Sequence, residues 1–299
     1  MRVDDILACA PRVLTQAQRE AYFADGYLLL ESFVPAEWLD RLRAQTARFV
    51  ELSRDVAASD NCYDLAPSHS AAAPRMRRLK NPDDRDPEFW AFANDRIADV
   101  VADLVGPDVL FHHAKLNFKW HDGADDVKWH QDAGFYPHTN YSALAVGTYL
   151  RDTAMADGPL AVIPGSHNGP LYEQYDDQDQ WTGCLSDADV AGLDLSKAVY
   201  LEGPAGSITI HNCRTVHGSP ASTADDGRPL LLNAYTSADA FPYMPNPSGS
   251  SHVRTVVRGK PARWAEHDPR PGLIPPDWSG GYTSIFAAQS GEDAQQAAE

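Results

Sequence analysis

A chain of 299 residues with 43% apolar and 22% charged side chains is long enough to bury a real core, which excludes a disordered segment or a bare peptide motif. A formal charge of −17 repels phosphate backbones and anionic lipid, and no apolar run approaches the ~18 residues of a bilayer span. The acids in the opening MRVDDILACAPRVL are wrong for a secretory signal, and Cys9, Cys62, Cys184 and Cys213 stand too far apart for a zinc knuckle or disulfide framework. A cytosolic monomer or homodimer is expected, with a small-molecule substrate and neither nucleic acid nor membrane as partner.

The first third reads as helical. In LTQAQREAYFADGY, Thr15 and Gln18 form a capping-box pattern, and Gly26 sits where a helix stops. A short strand over Tyr27 to Leu30 follows, and Pro35 opens a second helix running to about Ser53, with Trp38, Leu39, Leu42, Phe49 and Val50 on one face. Residues 55–81 mix Asp, Ser, Ala and Pro with the basic cluster Arg75, Arg77, Arg78 and Lys80, and read as a long irregular loop. The ordinary reading of that cluster is a solvated loop balancing nearby acids, and its functional reading is an anchor for a substrate carboxylate. A third helix is expected over 87–105, ending at Gly106-Pro107.

From Val109 the texture changes to short β-branched and aromatic runs separated by turn residues: VLFHHAKLNF, SALAVGTYLRD, GPLAVIPGSH, AVYLEGPAGSITIHN and PLLLNAYTS. Seven or eight such strands with no helical period between most of them predict a β-sandwich or barrel. Residues 173–197 read as a polar, acidic insertion, and SGEDAQQAAE at the end as a flexible tail over 291–299.

Among eleven histidines, those at a spacing that chemistry requires are the informative ones. His130 and Asp132 in KWHQDAGF are two apart, so in extended chain an imidazole and a carboxylate point to one face. His217, 217 − 130 = 87 residues on, could complete two histidines and one carboxylate, the facial set of non-haem Fe(II) oxygenases. Arg228, opening RPLLLNAY, offers a planar fork for a carboxylate such as that of 2-oxoglutarate, and Ser219 could add a hydroxyl. Arg228 could instead be a salt-bridged strand residue, and Asn117 and Ser219 could make ordinary strand hydrogen bonds.

The series WHQD, GPLAVIPGSH and GPAGSITIHNCRTVHGSP followed by Arg228 resembles the phytanoyl-CoA dioxygenase family of Fe(II)/2-oxoglutarate oxygenases, with the motif layout of ectoine hydroxylases, over about residues 14–237. The resemblance implies a mainly β fold with helical support: a double-stranded β-helix, jelly-roll and cupin-like, with N-terminal helices packed on it. One oxygenase domain over 1–290 is expected, helical over about 14–106, a β-helix core over about 109–240 and a C-terminal extension over about 241–290. It further implies Fe(II) on His130, Asp132 and His217, with 2-oxoglutarate and O2 as co-substrates, and Asn117 at a co-substrate contact beside Arg228 and Ser219. The implied reaction is hydroxylation of an unactivated C–H bond with release of succinate and CO2. Desaturation, cyclisation or demethylation at the same site, or a non-catalytic cupin-like metal-binding protein, are the alternatives. AGFYPHTNYS after the H-x-D motif departs from the ectoine hydroxylase pattern, so another substrate is expected.

For substrate contacts, Phe135, Tyr136, His138 and Tyr141 follow the H-x-D motif, Trp181 lies on the insertion, and Arg78 belongs to the basic cluster. The substrate pocket is expected at the barrel mouth, framed by residues 135–141, 173–197 and 55–80. His167 in PGSH reads as structural. His112, His113, His121, His138 and His211 read as core or surface histidines, with His113 and His138 able to face the pocket.

Overall fold

In the computed structural model, residues 1–121, 126–224, 226–246, 249–278 and 284–290 are described. After a short helix α1 (Val3–Ala8), helix α2 (Gln16–Asp25) starts where the sequence pattern places it. Thr15 Oγ1 accepts from Gln18 N–H, and Gln18 Oε1 accepts from Thr15 N–H at 2.8 Å. The helix ends at Gly26, whose φ of 82° suits glycine. Strand β1 (Tyr27–Leu30) and helix α3 (Ala36–Leu52) follow, with Leu39, Leu42 and Phe49 buried on one face of the helix.

Residues 55–81 are not an irregular loop. They carry β2 (Tyr63–Leu65) and β3 (Met76–Lys80), which pair with each other and extend the large sheet. Nor is the basic cluster solvated, since Arg77 and Arg78 are each only 4% exposed. Arg77 is paired with Asp64 on the neighbouring strand at 2.9 Å, which satisfies its charge inside the fold. The helix expected over 87–105 is interrupted. A turn of helix α4 (Pro82–Arg85) precedes α5 (Pro87–Ala93) and α6 (Arg96–Val105), which are separated at Asn94 and Asp95 because Asp95 is extended.

The strands of the second half are β4 (Val109–Lys119), β5 (Val127–His130), β6 (Leu144–Tyr149), β7 (Ala161–Val162), β8 (Val199–Tyr200), β9 (Ile208–Asn212), β10 (His217–Ser219) and β11 (Arg228–Ser237). Helix α7 (Asp187–Ala191) forms a single turn in the 173–197 insertion, strand β12 (Val256–Arg258) pairs with β4, and helix α8 (Ile285–Ser290) comes last. Two antiparallel sheets result among the described residues: one in the order β1-β9-β6-β11-β4-β3-β2, with β12 beside β4, and one in the order β5-β10-β7-β8. This is the double-stranded β-helix with helical support. The tail at 291–299 lies outside the described residues.

Alternation along the large sheet separates two faces. Leu116, Val146, Ile210 and Leu231 face the helices and join Leu42, Phe89, Phe92, Ile97 and Leu104 in the main core. Lys115, Asn117, Ala145, His211, Leu230 and Leu232 face the other way and line a cavity. Each fully buried Leu or Phe on the helical side contributes roughly 1.5–3 kcal/mol, so that side holds the sheet rigid behind the cavity wall. No helix of the described residues is long and apolar enough to cross a membrane.

Candidate active site

Strands β5 and β10 pair antiparallel with His217 directly opposite His130, and the two imidazole rings lie 4.0 Å apart between centroids. Gly218 lets the strands close, since a Cβ there would come within 2.7 Å of Val127 O. Asp132 lies just past the end of β5, in a turn of 3-10 helix over Asp132–Gly134, and not on the strand itself. Gln131 between the two is extended, at φ −126° and ψ 129°, so the i, i+2 geometry still turns both side chains to one point.

The Gln131 side chain turns away and is fully buried. It donates to Arg214 O at 2.6 Å and Pro170 O at 3.1 Å and accepts from Tyr172 N at 2.9 Å. These bonds fix the backbone from which His130 and Asp132 project.

The donor atoms of His130, Asp132 and His217 all lie within 4.8 Å of one another, with each histidine Nε2 4.0 Å from Asp132 Oδ1. Two donors each ~2.1 Å from one ion are at most ~4.2 Å apart, so each of these His–Asp pairs can share one. His130 Nδ1 donates to Lys128 O at 2.8 Å and His217 Nδ1 to Thr215 O at 2.8 Å. A carbonyl only accepts, so in each neutral ring the proton sits on Nδ1 and the Nε2 lone pair is free for a metal.

Burial lowers His130 to about 4 and His217 well below the usual imidazole range, and both rings are neutral at physiological pH. Burial opposes ionisation of Asp132, but the hydrogen bond from His211 and the electrostatic attraction of the nearby His217 ring and Lys115 ammonium outweigh it and hold the carboxyl well below the usual carboxylate range. Two neutral imidazoles and one carboxylate form the donor set a divalent first-row metal requires. The three residues fit an iron site.

Two features here escaped the sequence reading. His211 is no ordinary core histidine: its Nε2 lies 3.3 Å from Asp132 Oδ2, the oxygen turned away from His130 and His217. Lys115 and Lys119 share the inner face of β4 with Asn117. The alternation Lys115, Asn117, Lys119 against Leu116 and Phe118 carried the signal, but a polar stripe on a strand reads as solvent-facing.

The cavity beside the three ligand candidates is narrow, with about 60 Å3 of internal volume. Arg228, Ser219 and Asn117 all line it, with Lys115, Lys119 and the apolar Val127, Leu160, Leu230, Leu232, Ile285 and Phe286. Arg228 is 2% exposed and sits opposite Lys119 in the β4–β11 register. Its Nη2 donates to Gly158 O at 2.7 Å, which anchors one edge of the guanidinium to the loop before β7. Lys119 Nζ donates to Ser219 O at 3.0 Å and Pro220 O at 2.5 Å. Asn117 Oδ1 accepts from Arg78 Nε at 2.8 Å, leaving its NH2 for other acceptors.

The expected substrate contacts sit around the cavity and not on its wall. Phe135 and Tyr136 are buried in a cluster with Ile285 and Phe286, and Trp181 packs on Phe135 with centroids 5.2 Å apart. Of the three segments expected to frame the pocket, none supplies a residue to the wall, and α8 supplies Ile285 and Phe286 in their place. His138 is buried and donates from Nδ1 to Tyr136 O at 2.7 Å, and burial lowers it to about 4. Tyr141 lines a different cavity with His167 and Arg214. His167 bonds through Nε2 to Phe23 O at 3.1 Å, tying the PGSH turn to α2 in a structural role. His112 and His113 are buried against each other, Nδ1 to Nδ1 at 2.6 Å, and His121 is exposed.

In a second acidic and histidine group, Asp83, Asp84 and His252, both carboxylates accept hydrogen bonds from the turn that carries His252. Ser250 Oγ donates to Asp83, and Ser251 donates to Asp84 through N and Oγ.

The family model for phytanoyl-CoA dioxygenase (PhyH) matches residues 22–230. A relative in Stutzerimonas stutzeri, named probable alpha-ketoglutarate-dependent hypophosphite dioxygenase, is 32% identical over 252 residues, covering 83% of this chain and 87% of its own. An ectoine dioxygenase of Stutzerimonas stutzeri strain A1501 is 25% identical over 276 residues, covering 85% and 82%. Among solved structures, EctD from S. alaskensis with bound Fe superposes with a TM-score of 0.66 at 21% identity, covering 92% of this chain and 94% of that one. The span of the family match and the 32% relative together make this chain a member of the phytanoyl-CoA dioxygenase family of Fe(II)/2-oxoglutarate-dependent oxygenases.

Proposed function

We propose that the protein hydroxylates an unactivated C–H bond of a small metabolite in the cytosol, turning 2-oxoglutarate and O2 into succinate and CO2, as one oxygenase domain over residues 1–290. His130, Asp132 and His217 hold the Fe(II), and Arg228, Ser219 and Asn117 hold the co-substrate. The observation that carries this reading is one cavity bounded by three convergent metal donors and a buried guanidinium. A cupin-like binding site has no use for a carboxylate clamp beside the metal.

The bound iron supplies the redox chemistry with O2. The chain supplies position. Lys128 O and Thr215 O hold the two histidines in the ligating tautomer, and His211 holds the far oxygen of Asp132. Arg228, pinned by Gly158 O, presents its fork to the distal carboxylate of 2-oxoglutarate, while Leu160, Leu230 and Leu232 keep that end of the cavity dry.

A second reading is favoured by the relative named for hypophosphite, namely oxidation of a P–H bond in a phosphorus oxyanion. The test is conversion of 2-oxoglutarate to succinate by protein loaded anaerobically with Fe(II) and then exposed to O2, alone and with candidate substrates. Stimulation by hypophosphite with phosphite as product supports the second reading, and stimulation by a carbon substrate with a hydroxylated product supports the first. Absence of succinate under all conditions refutes both.

A further inference from the structure

Lys115 stands on the inner face of β4 and lines the cavity, yet among the described residues its ammonium has no hydrogen-bond or ion-pair partner. Next to it on the sheet, Arg78 donates Nε to Asn117 Oδ1, while its buried Nη2 has no hydrogen-bond partner among the described residues. An unpaired donor on the buried Arg78 is costly, and the half-buried Lys115 ammonium lines the cavity beside it, so the two together suit an acceptor that the cavity binds.

Formal charge points to an anion. Lys115, Lys119 and Arg228 line the cavity and Arg78 backs it, against the single lining carboxylate Asp132. Fe(II) and the 2-oxoglutarate dianion add +2 and −2 and leave that excess untouched. The cations also stand at two separate poles. Lys119 faces Arg228 in the register and Lys115 faces Leu232, four residues along β4, or ~13 Å at ~3.3 Å per residue. The Arg228 pole answers the distal carboxylate of the co-substrate. Lys115 shares a row of the sheet with Leu232, Gly147 and Thr209, and Thr209 is two residues from His211, whose Nε2 meets Asp132, so this pole lies toward the ligand candidates.

We propose that Lys115, supported by the Arg78 and Asn117 pair, anchors an oxyanion group of the primary substrate, so that the enzyme acts on small anions. The group is a carboxylate or a phosphorus oxyanion, and the bond oxidised lies beside it. This rests on the oxygenase reading above and adds the substrate class.

The experiment is calorimetric titration of the protein loaded with Fe(II) and 2-oxoglutarate under nitrogen, with hypophosphite, propionate and the neutral propionamide as probes. At least one anion binds, propionamide does not, and affinity falls with added salt. Hypophosphite without propionate identifies a phosphorus oxyanion, and the reverse identifies a carboxylate. Lys115→Met weakens that anion about ten- to hundredfold, with Lys115→Arg recovering part of the loss. Neither variant changes 2-oxoglutarate affinity or the thermal midpoint appreciably. Binding of propionamide as tightly as propionate, binding of none of the three, or a loss of 2-oxoglutarate affinity in Lys115→Met overturns the proposal. Failure to make succinate refutes the oxygenase reading separately, because the anion titration needs no turnover.

Discussion

At the scale of single residues, the two histidines and the carboxylate proposed to bind metal were legible because their spacing is itself chemistry. An H-x-D in extended chain leaves two ligands on one side, and a distant H-G-S supplies the third with a glycine that lets the strands meet. His211 was not legible: in ITIHN it is one polar residue on a buried strand, and only the fold brings its Nε2 to Asp132 Oδ2. It acts through Asp132 and is a positioning residue. His211→Ala frees that oxygen to rotate and should weaken metal binding by about 10–100-fold. Co(II) titration followed by its d–d absorption measures this, and His211→Gln, which keeps a donor, should restore part of it. Unchanged affinity in the alanine variant would mean that Asp132 is held by other contacts. The proposed clamp is tested in parallel: Arg228→Ala should weaken 2-oxoglutarate binding by ~2–5 kcal/mol, and Arg228→Lys should recover only part because the planar fork is lost. Direct titration with 2-oxoglutarate decides, and equal affinities in all three proteins would remove Arg228 from the clamp.

At the scale of elements, the reading succeeded where local pattern and tertiary role agree. The Thr15–Gln18 capping box and Gly26 bounded α2 because both are self-contained signals. It failed over residues 55–81, where β2 and β3 are three and five residues long and carry charge instead of an apolar stripe. Their buried face is made acceptable by pairing, Arg77 with Asp64, and a pair across strands is invisible in one segment. Arg77→Met should therefore cost about 3–5 kcal/mol, because it strands the Asp64 carboxylate, which is 0% exposed. The double variant Arg77→Met with Asp64→Leu should regain most of that loss. Urea denaturation of the single and double variants measures both, and a double variant as unstable as the single would show that the charges do more than neutralise each other. Helix α8 was missed for a different reason: six residues near the end of a chain have no local cue that they close a cavity.

At the scale of the whole molecule, the helices fix the large sheet from behind, and the small sheet carries His130 and His217 toward the inner face that holds Arg228, Asn117 and His211. Metal held by the proposed ligands would thus join the two sheets, since His211 on β9 reaches that set through Asp132. A ligand that binds only this assembled arrangement stabilises the fold by linkage, about 2.7 kcal/mol at a free concentration 100 times its Kd. For a chain of this size that raises Tm by roughly 5 °C, so chelation of the metal should lower it by the same amount. Removing one carboxylate from the donor set separates this effect from general salt effects. Asp132→Ala should lower the metal-free Tm, because the His211 donor loses its buried acceptor, and should abolish most of the metal-dependent rise measured from that new baseline. 2-Oxoglutarate added after the metal should raise Tm again in the wild type and much less in Arg228→Ala, because its two ends then bridge the metal on the small sheet and the guanidinium on the large one. Scanning calorimetry across these states decides the matter. A metal-dependent rise that survives Asp132→Ala would place the stabilising ion elsewhere, and a 2-oxoglutarate rise that survives Arg228→Ala would mean that the co-substrate does not span the two sheets.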